Sequence, residues 1–360
     1  MIDPKRALTR LRDDHARALA SASGAASDGG FAEIVASYSI TTVEEVLALS
    51  MLGGDLLDRI VVEAATVSAL TEPFRSSPAG AAEIASWANY RELEYATGLT
   101  LDLAAPPDAP PVARRFARAV DTRESVLLLD EHMSSIRDQA QRGTCTAFAA
   151  LSCLEYHEHR FAGRARTDLS EQFAYWNMLD RAPHRDLLSM FMGLRDDGTC
   201  LEHTWPYVPT DALDDDGQGP PPPAATREAH DHRAATVRRI PARDVGLIRE
   251  ALGAHVPVAI GIPVYASWFD SPVVRKYGNL TVPLPGEVPE PIGHAVALVG
   301  FADDQEFAGG GYFVVRNSWG GTWATQSEFG AGYGTIPYRY VERYNWDAWC
   351  VNPPAAHSRS

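Results

Sequence analysis

The sequence has few cysteines and no long apolar run. Its four cysteines, spread over 360 residues with no CxxC pair, are too few for the disulfide framework of small secreted domains. No stretch reaches the roughly 20 apolar residues of a membrane span. The first twenty residues also lack the apolar core of about 7 to 15 residues that a secretory signal needs. These features predict a soluble cytoplasmic protein in a reducing compartment.

Positive charge is also scarce. Lys and Arg together number 32 against 47 Asp and Glu, which gives a net charge of −15. Phosphate backbones and anionic lipids repel a surface of this sign, so nucleic acids and membranes are not expected partners. With 45% hydrophobic and 22% charged residues, the composition is that of an ordinary globular protein. The length favours two domains, or one large domain with an appendage.

Helix signals dominate residues 1–103, and we predict a small all-α domain there. Residues 5–20 have the apolar spacing of an amphipathic helix, and a capping-box sequence at 42–45 starts another helix that Gly53-Gly54 would end. The sequence of residues 39–45 resembles the start of a helix-hairpin-helix unit. Because this segment is acidic, we favour a packed helical bundle over DNA contact. A Pro-rich linker is predicted over 104–114.

The C-terminal part contains short strand signals. Segments 256–262, 295–301 and 312–315 are rich in Val and Ile and are bounded by Gly or Pro. An Asp- and Pro-rich stretch at 211–225 is predicted to be a surface loop. Helices early and strands late within one domain indicate an α+β fold rather than alternating βαβ units.

The segment around Cys145 carries the strongest chemical signal. Apolar residues follow it at helical spacing, which predicts that Cys145 lies in the first turn of a buried helix. A helix N-terminus favours thiolate, the nucleophilic form of cysteine. Gln139 lies six residues before Cys145, and Gly143 precedes it by two. This segment resembles the active-site segment of papain-like cysteine peptidases.

Further blocks of the same family follow in the same order. Gly293-His294 resembles the histidine strand, 149 residues after Cys145, and Asn317-Ser318-Trp319-Gly320 follows 23 residues beyond His294. Segments 169–172 and 205–207 resemble the structural Leu-Ser-Glu-Gln turn and the Tyr-Pro-Tyr loop. The chain is therefore identified as similar to the papain-like cysteine peptidases, as a bacterial-type variant without the active-site disulfide.

The resemblance implies a two-lobed domain over 115–350, with a helical lobe and an antiparallel β-barrel-like lobe, and a loose tail over 351–360. It also implies site roles: Cys145 as nucleophile, His294 as its base, Asn317 orienting the imidazole, Gln139 donating to the oxyanion, and Trp319 shielding the imidazole–amide bond. Gly143, Ile292 and Gly293 are expected to border the substrate, with an apolar lining.

Two positions near the nucleophile depart from the family pattern. Arg142 and Thr146 stand where the family has a Cys and a Trp. Arg142 could be a solvated loop charge or a substrate-facing group. The paired glycines that hold the substrate backbone in the family have no clear counterpart between Tyr175 and Gly198. How the cleft holds a substrate is therefore unassigned at this stage.

The function predicted from these residues is that of a cysteine endopeptidase acting on peptides or proteins, without a metal or an organic cofactor. Two alternatives remain open: acyl or peptidyl transfer, including ligation, through the same thioester, and a non-catalytic peptidase-like binding protein. Residues 1–103 do not show the family's usual inhibitory pro-segment pattern. They could be another kind of regulator, a module that binds a protein partner, or a segment removed by self-cleavage.

Overall fold

A computed structural model describes most of the chain. It covers residues 37–51, 64–91, 95–100, 125–128, 131–181, 185–209, 219–284 and 286–351. Several predicted features lie outside the described residues: the helix over 5–20, the stop at Gly53-Gly54, the linker over 104–114, and the tail beyond Val351.

Helices make up most of the described N-terminal part. They are α1 Val43–Met51, α2 Ala64–Arg75, α3 Pro78–Ser86 and α4 Ala88–Arg91. The predicted capping box is present at the start of α1. The Thr42 N–H donates to Glu45 Oε2 at 2.9 Å, and the Glu45 N–H donates to Thr42 Oγ1 at 3.2 Å. Two backbone donors without a helical partner are thereby satisfied, which confirms the predicted helix start.

A helical lobe follows. Its helices are α5 Cys145–Phe161, α6 Glu171–Arg181, α7 Leu187–Asp196 and α8 Pro223–Glu228, the last continued by a 3₁₀ turn over Ala229–Asp231. Helix α5 starts at Cys145, as predicted, and is buried along most of its length. The surface loop predicted over 211–225 is too long, because Pro223 opens α8. The fixed φ of proline suits a first helical turn.

The second lobe is an antiparallel sheet. Its strands are β1 Ser125–Leu127, β2 Val237–Ile240, β3 Val258–Ile262, β4 His294–Asp303, β5 Gly311–Arg316, β6 Tyr333–Pro337 and β7 Asp347–Val351. The strand order is β2-β7-β3-β4-β5-β6, and β1 pairs with the C-terminal end of β4. Four helices flank the strands: α9 Val245–Gly253, α10 Ala266–Phe269, α11 Pro272–Tyr277 and α12 Tyr338–Tyr344. Strands β3, β4 and β5 correspond to the three predicted strands.

One apolar core joins the helical lobe to the sheet. Helix α5 packs on β4, and α7 packs on β7. At the second contact the ring of Phe191 stacks on Trp349 with centroids 5.7 Å apart, and both side chains are fully buried. The two lobes therefore share their core and are not independent units.

This shared core predicts a large stability loss when the stacked ring is removed. Phe191→Ala should lower the free energy of unfolding by about 3–5 kcal/mol, as measured by chemical denaturation, because it leaves a cavity between α7 and β7. Val288→Ala is the matched control, since Val288 is 77% exposed, and should change stability by less than about 0.5 kcal/mol. A Phe191→Ala loss as small as that of the control would contradict the shared core.

The N-terminal helices dock on α11. Trp87 is fully buried in a small cluster with Leu47, Ala48 and Val273. The Glu83 carboxylate beside this cluster accepts hydrogen bonds from Lys276 Nζ at 2.5 Å, Trp87 Nε1 at 2.9 Å and the Tyr277 hydroxyl at 3.0 Å. Apolar burial and a shared carboxylate thus fix these helices to the sheet lobe.

Residues 95–100 differ from the all-helical prediction for 1–103. This segment is extended, and Leu99 forms an isolated antiparallel bridge with Gly293. Each residue donates its N–H to the carbonyl of the other, at 3.0 Å in both directions. The segment therefore lies on the sheet lobe, directly before the predicted histidine.

Candidate active site

Cys145 is the first residue of α5 and is fully buried. Burial raises the pKa of its thiol to about 11, although backbone N–H groups, chiefly those of Ala295 and Gly98, act in the opposite direction. The thiol therefore lies beside the start of β4 on one side and the 95–100 segment on the other. It is held in its neutral form at pH 7.

His294 is the first residue of β4 and is also fully buried. Its Nε2 lies 2.8 Å from Asn317 Oδ1, and its ring stacks on Trp319 with centroids 4.8 Å apart. Nδ1 has no hydrogen-bond partner among the described residues. Burial lowers the pKa of His294 to about 4, although the hydrogen bond to Asn317 acts to raise it. The imidazole is therefore neutral at pH 7.

Every polar atom of the Gln139 amide has a partner. Oε1 accepts from Ser318 Oγ at 2.5 Å, while Nε2 donates to the Arg142 carbonyl at 2.7 Å and to the Ala96 carbonyl at 3.1 Å. The bonds to Ser318 and to the Arg142 carbonyl do not involve the covering segment, and they fix the plane of the amide. The remaining N–H is aimed at the segment that covers the cleft.

Residues 95–100 cover the site through contacts with all its parts. The Ala96 carbonyl also accepts from Trp319 Nε1 at 2.9 Å, and the Tyr95 ring stacks on Trp319 with centroids 4.6 Å apart. Gly98 lies so close to Gly143 that an added Cβ would be 2.0 Å from the Gly143 carbonyl oxygen. Only a glycine fits at position 98 in this arrangement.

The covering segment acts on two groups of the site. Its Gly98 N–H favours the ionised form of the Cys145 thiol, and its Ala96 carbonyl accepts a hydrogen bond from the Gln139 amide. Residues 95–100 therefore cover the thiol and the amide together.

The opposite wall of the cleft is formed by Arg185, which the sequence did not single out. The Thr100 N–H donates to the Arg185 carbonyl at 3.0 Å, and the Arg185 N–H donates to Thr100 Oγ1 at 2.9 Å. The extended segment is thus held between Arg185 of the helical lobe and Gly293 of the sheet lobe. No local motif marks this position, because the contacts with Thr100 use its backbone.

Arg142 is not a solvated charge. It is only 3% exposed, and its Nη1 donates to Gln172 Oε1 at 2.6 Å and to the Val208 carbonyl at 3.0 Å. The interpretation as a solvated loop charge is therefore wrong. Arg142 connects the loop before α5 to the interior of the helical lobe.

The three predicted substrate-bordering residues all lie near the covering segment. Gly143 contacts Gly98, and Gly293 pairs with Leu99. Ile292 is 42% exposed next to that pair. Gly293 has no room for a side chain, because a Cβ there would lie 2.3 Å from the ring of Trp346.

A buried charged network lies behind the site. Arg137 binds Glu155 through Nη2 and Glu171 through Nη1, both at 2.6 Å. Arg316, the neighbour of Asn317, donates from Nε to Ser152 Oγ of α5 at 2.9 Å. Even beside Arg137, burial raises the pKa of Glu171 to about 8. These contacts attach the loops that carry Gln139 and Asn317 to the central helices.

Other kinds of site are not apparent in the part of the chain that the structure describes. No group of three or more His, Cys, Asp or Glu residues is arranged to hold a metal ion there. No described helix has the length and apolar character of a membrane-spanning segment. All four cysteines are free and buried.

A thiol at a helix start, an imidazole bonded to an amide, and a second amide aimed into the cleft are the parts of a cysteine-dependent hydrolase. Comparison with known proteins agrees with this class. Residues 116–336 match the family described as "Papain family cysteine protease". This match covers more than half of the chain.

Individual relatives agree with the family match. The "Uncharacterized peptidase C1-like protein L477" of Acanthamoeba polyphaga mimivirus is 30% identical over 63% of this chain and 72% of that protein. "Peptidase 1" of Euroglyphus maynei is 28% identical over 59% of this chain and 61% of its own length. Among solved structures, xylellain, a cysteine protease from Xylella fastidiosa, has a similar fold, with a TM-score of 0.58 and 23% identity over 72% of this chain and 97% of its own.

The chain belongs to the papain family of cysteine proteases. It is a cysteine peptidase with the α+β fold that the sequence predicted. The free cysteines agree with the predicted absence of an active-site disulfide.

Burial of the thiol predicts slow alkylation at neutral pH. With a pKa of about 11, roughly one thiol in 10⁴ is ionised at pH 7. We expect iodoacetamide to modify Cys145 in the full chain at pH 7 much more slowly than a free cysteine, as followed by peptide mass. A rate equal to that of a free cysteine would contradict a neutral, buried thiol.

Proposed function

We propose that the chain is a cysteine endopeptidase whose site comprises Cys145, His294, Asn317 and Gln139. The observation that carries this proposal is the partner set of the Gln139 amide, in which the scaffold holds one N–H and the other points into the cleft. His294 supports it, because its Nε2 is bonded to Asn317 while its Nδ1 has no hydrogen-bond partner among the described residues. These contacts support the roles that the resemblance implied for Gln139 and His294.

The reaction uses each group in turn. Nδ1 of His294 takes the Cys145 proton, and the thiolate attacks the carbonyl carbon of a peptide bond. The oxyanion accepts hydrogen bonds from Gln139 Nε2 and the Cys145 backbone N–H. His294 then protonates the leaving amine, and water attacks the thioester to release the acid and restore the thiol. Trp319 excludes water from the imidazole–amide bond.

The N-terminal domain acts as a regulator of this site through residues 95–100. Burial beneath the segment favours the neutral thiol and the neutral imidazole, whereas catalysis needs the thiolate–imidazolium pair. The segment also takes the N–H of Gln139 that would serve the oxyanion. The full chain is therefore latent until this segment leaves the cleft.

The covering segment also marks where a substrate backbone would bind. The bond pairs at Gly293 and Arg185 supply donors and acceptors on both walls, which an extended peptide could use. The Leu99 side chain is buried over Gly261, where an added Cβ would lie 2.7 Å from Leu99 Cδ2. This supports the predicted apolar pocket beside Gly293 and Ile292.

Displacing the segment should activate the chain. Gly98→Ala adds one methyl group that would lie 2.0 Å from the Gly143 carbonyl oxygen, so we expect the segment to leave the cleft and peptide hydrolysis to rise at least about tenfold. The matched control is Gly321→Ala, where the added methyl would meet nothing within 4 Å. Equal activity in the two variants would show that residues 95–100 do not inhibit.

The oxyanion donor can be tested in the Gly98→Ala chain. Gln139→Ala should lower kcat by about 10² to 10³, as expected for loss of one oxyanion donor. Asn317→Ala should cost less than Cys145→Ala or His294→Ala, because Asn317 orients a base that remains present. Steady-state hydrolysis of a fluorogenic peptide measures each effect. An unchanged kcat after Gln139→Ala would remove this residue from the mechanism.

A further inference from the structure

The loop that carries Gln139 is held by two side chains outside the proposed catalytic set. We propose that Arg142 and Tyr207 are positioning residues that hold the Gln139 amide in its donating orientation. This inference rests on the proposed function, since it concerns how the oxyanion donor is held. We call the contacts of these two residues with the 139–144 loop the loop clamp.

The backbone of Arg142 contacts Gln139 directly. The Arg142 carbonyl accepts from Gln139 Nε2 at 2.7 Å and from the Thr144 N–H at 2.9 Å. The first bond takes one of the two amide protons and so directs the other into the cleft. The orientation of the Gln139 donor therefore depends on where the Arg142 carbonyl lies.

The side chain of Arg142 sets the position of that carbonyl. Its guanidinium donates to Gln172 of α6 and to the Val208 carbonyl, and lies 4.7 Å from the centroid of the Tyr207 ring. Because Arg142 is almost fully buried, these contacts are strong ones. They attach the middle of the loop to the helical lobe at three points.

Tyr207 closes the clamp at both ends of the loop. Its hydroxyl donates to the Gln139 carbonyl at 2.7 Å and lies 2.8 Å from Thr144 Oγ1. Its ring packs edge-on against Phe148 of α5, with centroids 5.1 Å apart. One hydroxyl thus links Gln139, the proposed oxyanion donor, to Thr144, the residue directly before helix α5.

The loop needs this support because it contains unfavourable backbone. Ala140 has φ of 51°, in the left-handed region that a residue with a side chain rarely adopts. Such a conformation persists only where surrounding contacts determine it. The loop clamp supplies these contacts.

The clamp predicts a change in kcat without a change in KM. Tyr207→Phe removes only the hydroxyl and keeps the ring that packs on Arg142 and Phe148. In the full chain carrying Gly98→Ala, we expect kcat to fall about 5- to 10-fold, with KM and the melting temperature unchanged. Tyr338→Phe is the matched control, because its hydroxyl bonds to Asp303 at the other end of β4, and it should leave kcat unchanged.

A double-mutant cycle decides whether Tyr207 acts through Gln139. In the Gln139→Ala background, Tyr207→Phe should lower kcat by less than about twofold, because the side chain that it positions is already gone. A 5- to 10-fold loss in both backgrounds would overturn the proposal and assign Tyr207 a role independent of Gln139.

A second measurement does not need enzymatic activity. In the full chain carrying Cys145→Ala, we expect hydrogen exchange of the Gln139 side-chain amide, followed by NMR, to be at least about tenfold faster after Tyr207→Phe or Arg142→Lys. Lysine keeps the charge but loses the planar fork of Arg142. Tyr338→Phe should leave the exchange rate unchanged.

The two measurements separate the loop clamp from the proposed function. If the Gly98→Ala chain hydrolyses no peptide, the proposed function fails, while amide exchange still decides whether the clamp holds Gln139. If exchange is equal in all variants, the clamp is overturned whatever the activity.

Discussion

The candidate site depends on the packing of helix α5 against strand β4. Cys145 and His294 are the first residues of these two elements, so the contact that forms the main core also brings the thiol to the start of the histidine strand. Burial has an electrostatic result as well. It raises the pKa of the thiol and lowers that of the imidazole, which opposes the ion pair that peptide hydrolysis requires. The same packing that positions the pair therefore keeps it neutral while the cleft is covered.

The two amide residues of the site depend on buried charge. Arg137 precedes Gln139 by two residues and binds both Glu155 and Glu171, and Arg316 directly precedes Asn317 and bonds to α5. A charge is tolerated in such an interior only when it is paired and fully hydrogen-bonded. Loops that carry these arginines can therefore adopt few alternative positions. The pairing of Arg137 and Arg316 therefore gives the side chains of Gln139 and Asn317 a rigid support.

Features that depend on local sequence were predictable, and those that depend on distant contacts were not. Helical spacing after Cys145 predicted α5, and the capping-box sequence predicted α1, because both arise from neighbouring residues. Arg185 was missed because its backbone makes the contacts with Thr100, and Arg142 was misinterpreted because its partners are Gln172 and the 205–208 loop. The 95–100 segment carries no helix or strand signal of its own. Its position is set by backbone bonds to Gly293 and Arg185, which lie far from it in the sequence.

The cover over the thiol also bears on oxidation. Peroxides attack the thiolate of an accessible cysteine and convert it to sulfenic acid, then to irreversible higher acids. Beneath residues 95–100, Cys145 is neither exposed nor ionised at neutral pH, so it lacks both conditions for this damage. Under the proposed function, the segment that withholds activity would thus also protect the nucleophile, and sensitivity to oxidants would begin only when the cleft opens.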